Sequence, residues 1–241
     1  MNEEVYFNFP ISIIASYPDD PRGTIQNVYK FCVYEHYLDL KDNATSSQIS
    51  NISDIERFGI SLKHYNFDYS NINSVGKRLI NSSKEVYYQF IRDKCARSGI
   101  KKSVIERYDY EFENMNFDEV CFLMFIGLKS IMGNSSYKKT NKKLLFNRML
   151  GKNKTDLEIE NLPHFIKKYT SEYQFTKMIQ ELEINWNLKY YSRHMRGFCF
   201  SFTLDLSQLI VIAERNKESN KKKIFQENKS KIIKETLNKL R

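Results

Sequence analysis

The sequence is poor in the residues that mark several common kinds of catalytic and metal site. Its eight glycines stand apart from one another, and neither GxGxxG nor GxxxxGK[ST] occurs. The four cysteines include no CxxC pair, which argues against a zinc site or a disulfide framework. The four histidines lack the HExxH spacing. We therefore expect no metal, no cofactor and no catalytic residues, although a nuclease built from dispersed acidic residues stays open.

Long apolar runs are also missing. No stretch approaches the roughly 18 apolar residues that a membrane-spanning helix needs, and the longest, at 120–128, is followed by Lys129. The chain starts with Met1, Asn2, Glu3 and Glu4, so it lacks the basic start of a secretory signal. We expect a cytoplasmic protein that has no membrane partner.

Basic residues are abundant and unevenly distributed. The 41% hydrophobic and 14% aromatic content predicts a packed globular protein, and the net charge is +9. Residues 1–115 contain 14 basic and 16 acidic side chains, residues 116–214 contain 14 and 10, and residues 215–241 contain 10 and 3. This asymmetry is expected when one end of a protein meets a polyanion. A solvated lysine-rich tail on an ordinary domain would give the same distribution.

The first half of the chain is predicted to be mainly helical. Val5–Ile14 alternates apolar and aromatic residues, which predicts a short strand or an extended arm that ends at a turn. Thr24–Leu40 has apolar residues at helical spacing, with Thr24 as its N-cap. Similar patterns predict further helices over Gln48–Phe58, Ile72–Ile80, Lys84–Arg97 and Lys101–Met115.

The second half combines helices with one β-hairpin. The helical patterns cover Phe117–Met132, Thr140–Leu150 with Thr140 as N-cap, Leu162–Lys168, and Glu172–Trp186 with Ser171 and Gln174 as a capping box. Two strands, Leu188–Arg193 and Phe198–Leu204, form the hairpin. A final helix starts near Asp205–Ser207, and Lys221–Arg241 has apolar residues on one helix face under a lysine-rich surface.

The hairpin tip carries the strongest functional signal. Arg193, His194 and Arg196 flank Gly197, and no acidic residue occurs between Asn187 and Thr203. A basic hairpin directly after an amphipathic helix suits DNA, because the helix can lie in the major groove while the hairpin touches the backbone.

The order of these elements resembles the winged helix-turn-helix superfamily of DNA-binding domains. The resemblance runs from Phe117 to about Ala213 and is one of pattern. It implies that Glu172–Trp186 is the recognition helix and that Leu188–Leu204 is the wing. The connection from Leu150 to Glu172 is longer than the usual turn of three or four residues. Either Leu162–Lys168 is the first helix of the pair, or residues 151–161 are an insertion.

The resemblance also implies a set of DNA-binding residues. Glutamine can contact adenine and lysine can reach guanine acceptors, whereas basic groups elsewhere contact phosphates and make the affinity salt-dependent. The implied residues are Tyr173, Gln174, Lys177 and Gln180 on the recognition helix, Arg193, His194 and Arg196 on the wing, and Lys138, Lys139, Lys142 and Lys143 near the second helix.

The sequence thus predicts a mainly α-helical protein in three parts. Residues 1–115 form a helical N-terminal domain that mediates assembly, residues 116–213 a winged helix-turn-helix domain, and residues 214–241 a basic helical tail. The expected partner is double-stranded DNA, with a homodimer as a further possibility. Few alanines and many Lys, Asn, Ile, Tyr and Phe residues suggest an AT-rich genome or a mobile element. The expected role is replication initiation or transcription regulation; a protein-binding winged helix and a nucleic-acid-processing enzyme are the alternatives.

Overall fold

The computed structural model describes residues 4–43, 52–66, 72–92, 94–106, 115–193 and 196–239. It is mainly helical and contains small antiparallel sheets, as the sequence predicts. The chain forms two compact units. The first comprises residues 1–133 and 142–174, and the second comprises residues 134–141 and 175–241. Among the described residues, no helix combines the length and apolar character that crossing a bilayer requires.

The first unit consists of helices and one two-stranded sheet. Its elements are β1 (Tyr6–Pro10), a 3₁₀ helix (Ile11–Ser16), α1 (Pro21–Asp42), α2 (Asp54–His64), α3 (Ile72–Ile91), β2 (Arg97–Lys101), α4 (Lys102–Ile105), α5 (Phe117–Met132), α6 (Lys142–Met149), a 3₁₀ turn (Ile159–Asn161) and α7 (His164–Lys167). β1 and β2 pair antiparallel, with Phe7 opposite Ile100. α1 packs against α2 and α3, and α5 packs against α6.

α5 is the central helix of this unit. Asn116 and Glu119 form a capping box at its N-terminus, and most of its side chains are buried. Gly127 permits close packing on α6, because a Cβ there would lie 3.2 Å from Leu145. The prediction of a core helix over Phe117–Met132 is confirmed at both ends.

The predicted helix at Thr24–Leu40 exists but starts earlier. Pro21 occupies its first turn, and Asp20 is the N-cap, accepting a hydrogen bond from the Gly23 N–H at 2.8 Å. The prediction of Thr24 as N-cap is wrong. Thr24 is buried inside the helix, and its hydroxyl lies 2.9 Å from that of Ser16.

Three other helix predictions in this half are wrong in extent, and a fourth is described only in part. The helix predicted at 48–58 runs over Asp54–His64, because Ser53 and Glu56 form its capping box. The helices predicted at 72–80 and 84–97 are one continuous helix, α3, and Arg97 belongs to β2. Of the helix predicted at 101–115, the structure describes only the short α4, and residues 107–114 lie outside the described ranges.

The second unit is built on a three-stranded sheet. Its elements are β3 (Lys138–Thr140), α8 (Glu172–Asn185, whose first three residues belong to the first unit), β4 (Lys189–Tyr191), β5 (Phe198–Ser201) and α9 (Leu206–Lys239). The strand order is β3-β5-β4, and both pairings are antiparallel. The predicted hairpin is confirmed with shorter strands, but β3 was not predicted.

The two faces of this sheet contact different helices. On one face, the ring of Phe198 lies 5.8 Å from that of Phe175 of α8 and 5.0 Å from that of Tyr190. On the other face, Cys199 packs with Leu209 and Ala213 of α9. The short strands are therefore held by apolar packing on both sides.

α9 continues well beyond its contact with the sheet. At 34 residues it is about 50 Å long. Ile224, Phe225 and Ile233 in its distal part are exposed. The boundary predicted between residues 213 and 214 falls inside this helix, and the extents of independently folding parts stay predictions.

Two further predictions in the second half need correction. Thr140, the expected N-cap of a helix at 140–150, lies in β3, and the helix runs over Lys142–Met149. The sequence Lys-Lys-Thr lacks the apolar alternation that marks a strand, and only its pairing with β5 makes it one. The helix predicted at 162–168 is confirmed as the four-residue α7, which follows Pro163.

Candidate nucleic-acid interface

α8 has one buried side and one exposed side. Phe175, Met178, Ile179 and Leu182 are buried, as the sequence pattern predicts. Thr176, Lys177, Gln180 and Ile184 on the opposite side are exposed. The predicted base-contacting residues Lys177 and Gln180 therefore lie on an accessible helix face.

The other two predicted residues of α8 differ from each other in exposure. The Tyr173 side chain is 75% exposed. Gln174 is only half-buried, and its N–H donates to the Ser171 hydroxyl at 3.3 Å. Ser171 thus caps the first turn of α8, which is one half of the expected capping box.

The hairpin follows α8 without a flexible connection. The Leu182 carbonyl accepts hydrogen bonds from the N–H groups of Trp186 at 3.0 Å and Leu188 at 3.1 Å. Asn187 reverses the chain with a φ of 55°, and its amide donates to the Phe202 carbonyl at 3.3 Å. These bonds fix the position of the hairpin relative to the end of the helix.

The basic groups at the hairpin tip face solvent. Arg193 and Arg196 are exposed, whereas His194 lies outside the described residues. Within the part of the chain that the structure describes, Arg196 makes no ion pair with a carboxylate. Next to the tip, at the end of β4, the Tyr191 hydroxyl donates to Glu214 of α9 at 2.6 Å, and this hydrogen bond raises the pKa of Tyr191.

Lys138 and Lys139 lie on β3 and are both exposed. Because successive strand residues point to opposite faces, these two side chains leave β3 on opposite faces of the sheet. Lys138 is opposite Phe200, and Lys139 is opposite Cys199. Burial raises the pKa of the Cys199 thiol, and Lys139 acts in the opposite direction.

Lys142 and Lys143 of α6 are engaged in ion pairs. The Lys142 ammonium lies 2.5 Å from a Glu172 oxygen, and Lys143 contacts Glu158. Both carboxylates are largely exposed, so each ion pair contributes at most about 1 kcal/mol to stability. Each lysine can therefore exchange its carboxylate for another anion. These two lysines are weaker candidates for phosphate contacts than Arg196, because their charges are already compensated.

Thr176 and Ile184 were not among the predicted DNA-binding residues. Both belong to the exposed face of α8, and the Ile184 side chain is 78% exposed. Helical spacing alone places them beside Gln180, so the signal was present in the sequence. Isoleucine has no hydrogen-bonding group, so a prediction based on polar side chains gives it no role.

Comparison with protein-family models, curated proteins and solved structures found no match for this chain. In the described ranges, no three His, Cys, Asp or Glu side chains come together as a possible metal site.

Proposed function

We propose that this chain binds double-stranded DNA and that its C-terminal half is a winged helix-turn-helix. The order along the chain is α5, β3, α6, the short α7, α8, then the β4–β5 hairpin. β3, which comes between the first two of these helices, pairs with the second strand of the hairpin. This pairing supports the assignment, because it makes the hairpin part of a sheet and not a free arm.

The observation that carries the proposal is the rigid link between α8 and the hairpin. The Leu182 carbonyl bonds to residues on both sides of the turn, so the start of the hairpin keeps a fixed position relative to the end of α8, and Arg193 and Arg196 follow at the other end of its strands. A major groove about 12 Å wide admits an α-helix, and side chains beside it reach the phosphates. The arginines are thus suited to backbone contacts while α8 faces the bases.

The biological role within this proposal is replication initiation or transcription regulation on a mobile element. Phe225 and Ile233 of α9 are exposed and, eight residues apart, lie on the same side of the helix, where they offer a surface for a second copy of the chain; this supports a homodimer. A dimer would select paired half-sites about one helical turn of DNA apart, and a monomer a single short site.

One observation favours the protein-binding alternative. Ile184 and Phe225 are 78% and 71% exposed, and exposed apolar groups are common in surfaces that bind proteins. The two functions differ in their response to salt, because only DNA binding releases counterions from a polyanion.

The proposal is tested by fluorescence anisotropy with a random-sequence duplex, over salt concentrations from about 50 to 200 mM. The wild-type affinity should fall steeply with salt. In Arg193→Ala/Arg196→Ala, the slope of log K against log salt should decrease by about two, since each phosphate-binding side chain contributes about one to it. Selection from a random DNA pool then defines the site.

A matched control removes the same charge elsewhere. Lys77→Ala/Arg78→Ala deletes two exposed basic groups of α3 in the first unit. This variant should keep the wild-type slope. An equal decrease in both variants would indicate a general charge effect, and no binding by the wild type would overturn the proposal.

A further inference from the structure

The exposed face of α8 carries a ladder of side chains that suits A·T base pairs. Thr176, Gln180 and Ile184 follow at intervals of four residues, and all three are exposed. Ile184, at 78%, is the most exposed large apolar side chain in the described part of the chain. Four residues advance a helix by about 6 Å and base pairs are about 3.4 Å apart, so neighbouring members of the ladder span about two base steps.

Each member matches a group on an A·T pair. A glutamine amide can bond bidentately to N6 and N7 of adenine. The methyl group of threonine and apolar side chains can contact the C5 methyl of thymine, a group that cytosine lacks. The whole of α8 contains no arginine, the residue most often used to read guanine, and Lys177 is its only basic side chain.

We infer that α8 selects A·T-rich duplexes through the major groove, with Gln180 reading adenine and with Thr176 and Ile184 contacting thymine methyl groups. This inference rests on the proposed function, since it requires α8 to enter the groove. It gives the exposed Ile184 a role, because packing against a methyl group removes apolar surface of both partners from water.

Because α8 contains acidic residues, we expect the protein's affinity for DNA and its selectivity to come from different elements. Glu181 and Glu183 flank the ladder; the Glu181 carboxylate accepts a hydrogen bond from the Asn185 amide, and Glu183 is exposed. Carboxylates repel phosphates, so α8 adds little to nonspecific attraction. Affinity then comes from the hairpin arginines and selectivity from α8, which makes the two separable by mutation.

The inference is tested by competition against a labelled duplex at constant salt. The competitors are four duplex DNA polymers of alternating sequence. These are A–T, A–U, which lacks the thymine methyl, G–C, and I–C, which has the major-groove acceptors of G·C but an A·T-like minor groove. The wild type should prefer A–T. A–U should compete more weakly, by about fourfold for each thymine methyl group that the protein buries. I–C should resemble G–C, because the major groove is the one being read.

Variants assign the preference to single side chains. Ile184→Ala should weaken binding to A–T but not to A–U, so that their ratio moves toward one. Gln180→Ala should reduce the preference for A–T over I–C. Both positions are exposed, so the fold should persist in circular dichroism. Ile60→Ala, at a 42% exposed position of α2, is the matched control and should keep all ratios.

The possible failures are distinguishable. The inference would be overturned, with DNA binding left intact, if A–T and A–U competed equally. It would also be overturned if Ile184→Ala left the A–T to A–U ratio unchanged. Competition by I–C equal to that by A–T would overturn it in favour of minor-groove reading. No competition by any duplex would overturn the proposed function as well and assign this face to a protein partner.

Discussion

Gly197 at the hairpin tip lies directly against the backbone of Thr140 in β3. A Cβ at position 197 would be 2.1 Å from the Thr140 carbonyl oxygen, and Gly197 has a φ of 78°. Both features exclude a side chain here, one through steric overlap and the other through backbone conformation. The close approach is what allows β3 to pair with β5 beside the turn.

Gly197→Ala should therefore destabilise the protein by about 2 kcal/mol or more, since the left-handed backbone alone costs about 1 kcal/mol or more for alanine. The midpoint of urea unfolding measures the decrease in stability. Gly99→Ala has neither feature and should be close to neutral. A Gly197→Ala variant as stable as Gly99→Ala would show that the close approach to Thr140 is unimportant.

The fold was only partly predictable from the sequence, because some elements depend on contacts between residues far apart along the chain, such as Gly197 and Thr140. Phe117–Met132 was predicted at both ends, because acidic residues in its first turn, an apolar face and a glycine directly after it are all local signals. β3 was missed because its stability comes from a partner about 60 residues away along the chain. α3 was divided at Ser82 and Ser83, although Ser82 bonds to the Leu79 carbonyl and Ser83 is buried within the helix.

The candidate site divides in a similar way. The exposed positions of Lys177 and Gln180 follow from helical spacing, and that part of the prediction needed no tertiary information. The ion pairs of Lys142 and Lys143 depend on the path of residues 151–172, which sequence patterns left open. The placement of Lys138 and Lys139 on opposite strand faces could be seen only once β3 was recognised.

Asn147 should be one of the polar residues most important for the stability of the first unit. It is fully buried; its amide donates to the carbonyls of Lys143 and Leu157, and its oxygen accepts from the Leu157 N–H, each at 2.9 Å. Asn147→Ala leaves both backbone groups of Leu157 without this partner, and should cost about 2 to 4 kcal/mol in chemical unfolding. Asn185→Ala, which removes an exposed amide, should cost less than about 0.5 kcal/mol. Similar destabilisation in the two variants would contradict this assignment.

Acid should weaken the packing of α1 against α2 through His36. Its ring stacks on that of His64 with centroids 4.3 Å apart, and its Nδ1 lies 3.0 Å from the Ser61 hydroxyl. Burial lowers the pKa of His36 from its usual 6.5, and His64 acts in the same direction, whereas Asp39 opposes them. The folded state then binds fewer protons than the unfolded state. The contribution of His36 to the stability of the folded state is present above about pH 6.5 and is lost as the pH falls through the folded-state pKa.

Thermal unfolding over this pH range should therefore show a smaller acid-induced decrease of Tm in His36→Gln than in the wild type. Other titrating groups are common to both proteins, so the difference between the two curves isolates His36. His164→Gln removes an exposed histidine of α7 and should follow the wild-type curve. Parallel curves for His36→Gln and the wild type would rule out the linkage.

The two lysines of β3 should contribute unequally to DNA binding. Lys138 lies on the same sheet face as Phe200, where Phe198 of β5 packs against Phe175 of α8. Lys139 lies on the same face as Cys199, which α9 covers. A duplex that lies along α8 approaches from the Lys138 side. Lys138→Ala should thus lower the salt slope of duplex binding by about one, and Lys139→Ala should leave it nearly unchanged. Each variant removes one exposed charge, so net charge cancels in the comparison. Equal slopes would mean that these lysines act only through overall charge, and a larger effect of Lys139 would place the duplex on the α9 side of the sheet.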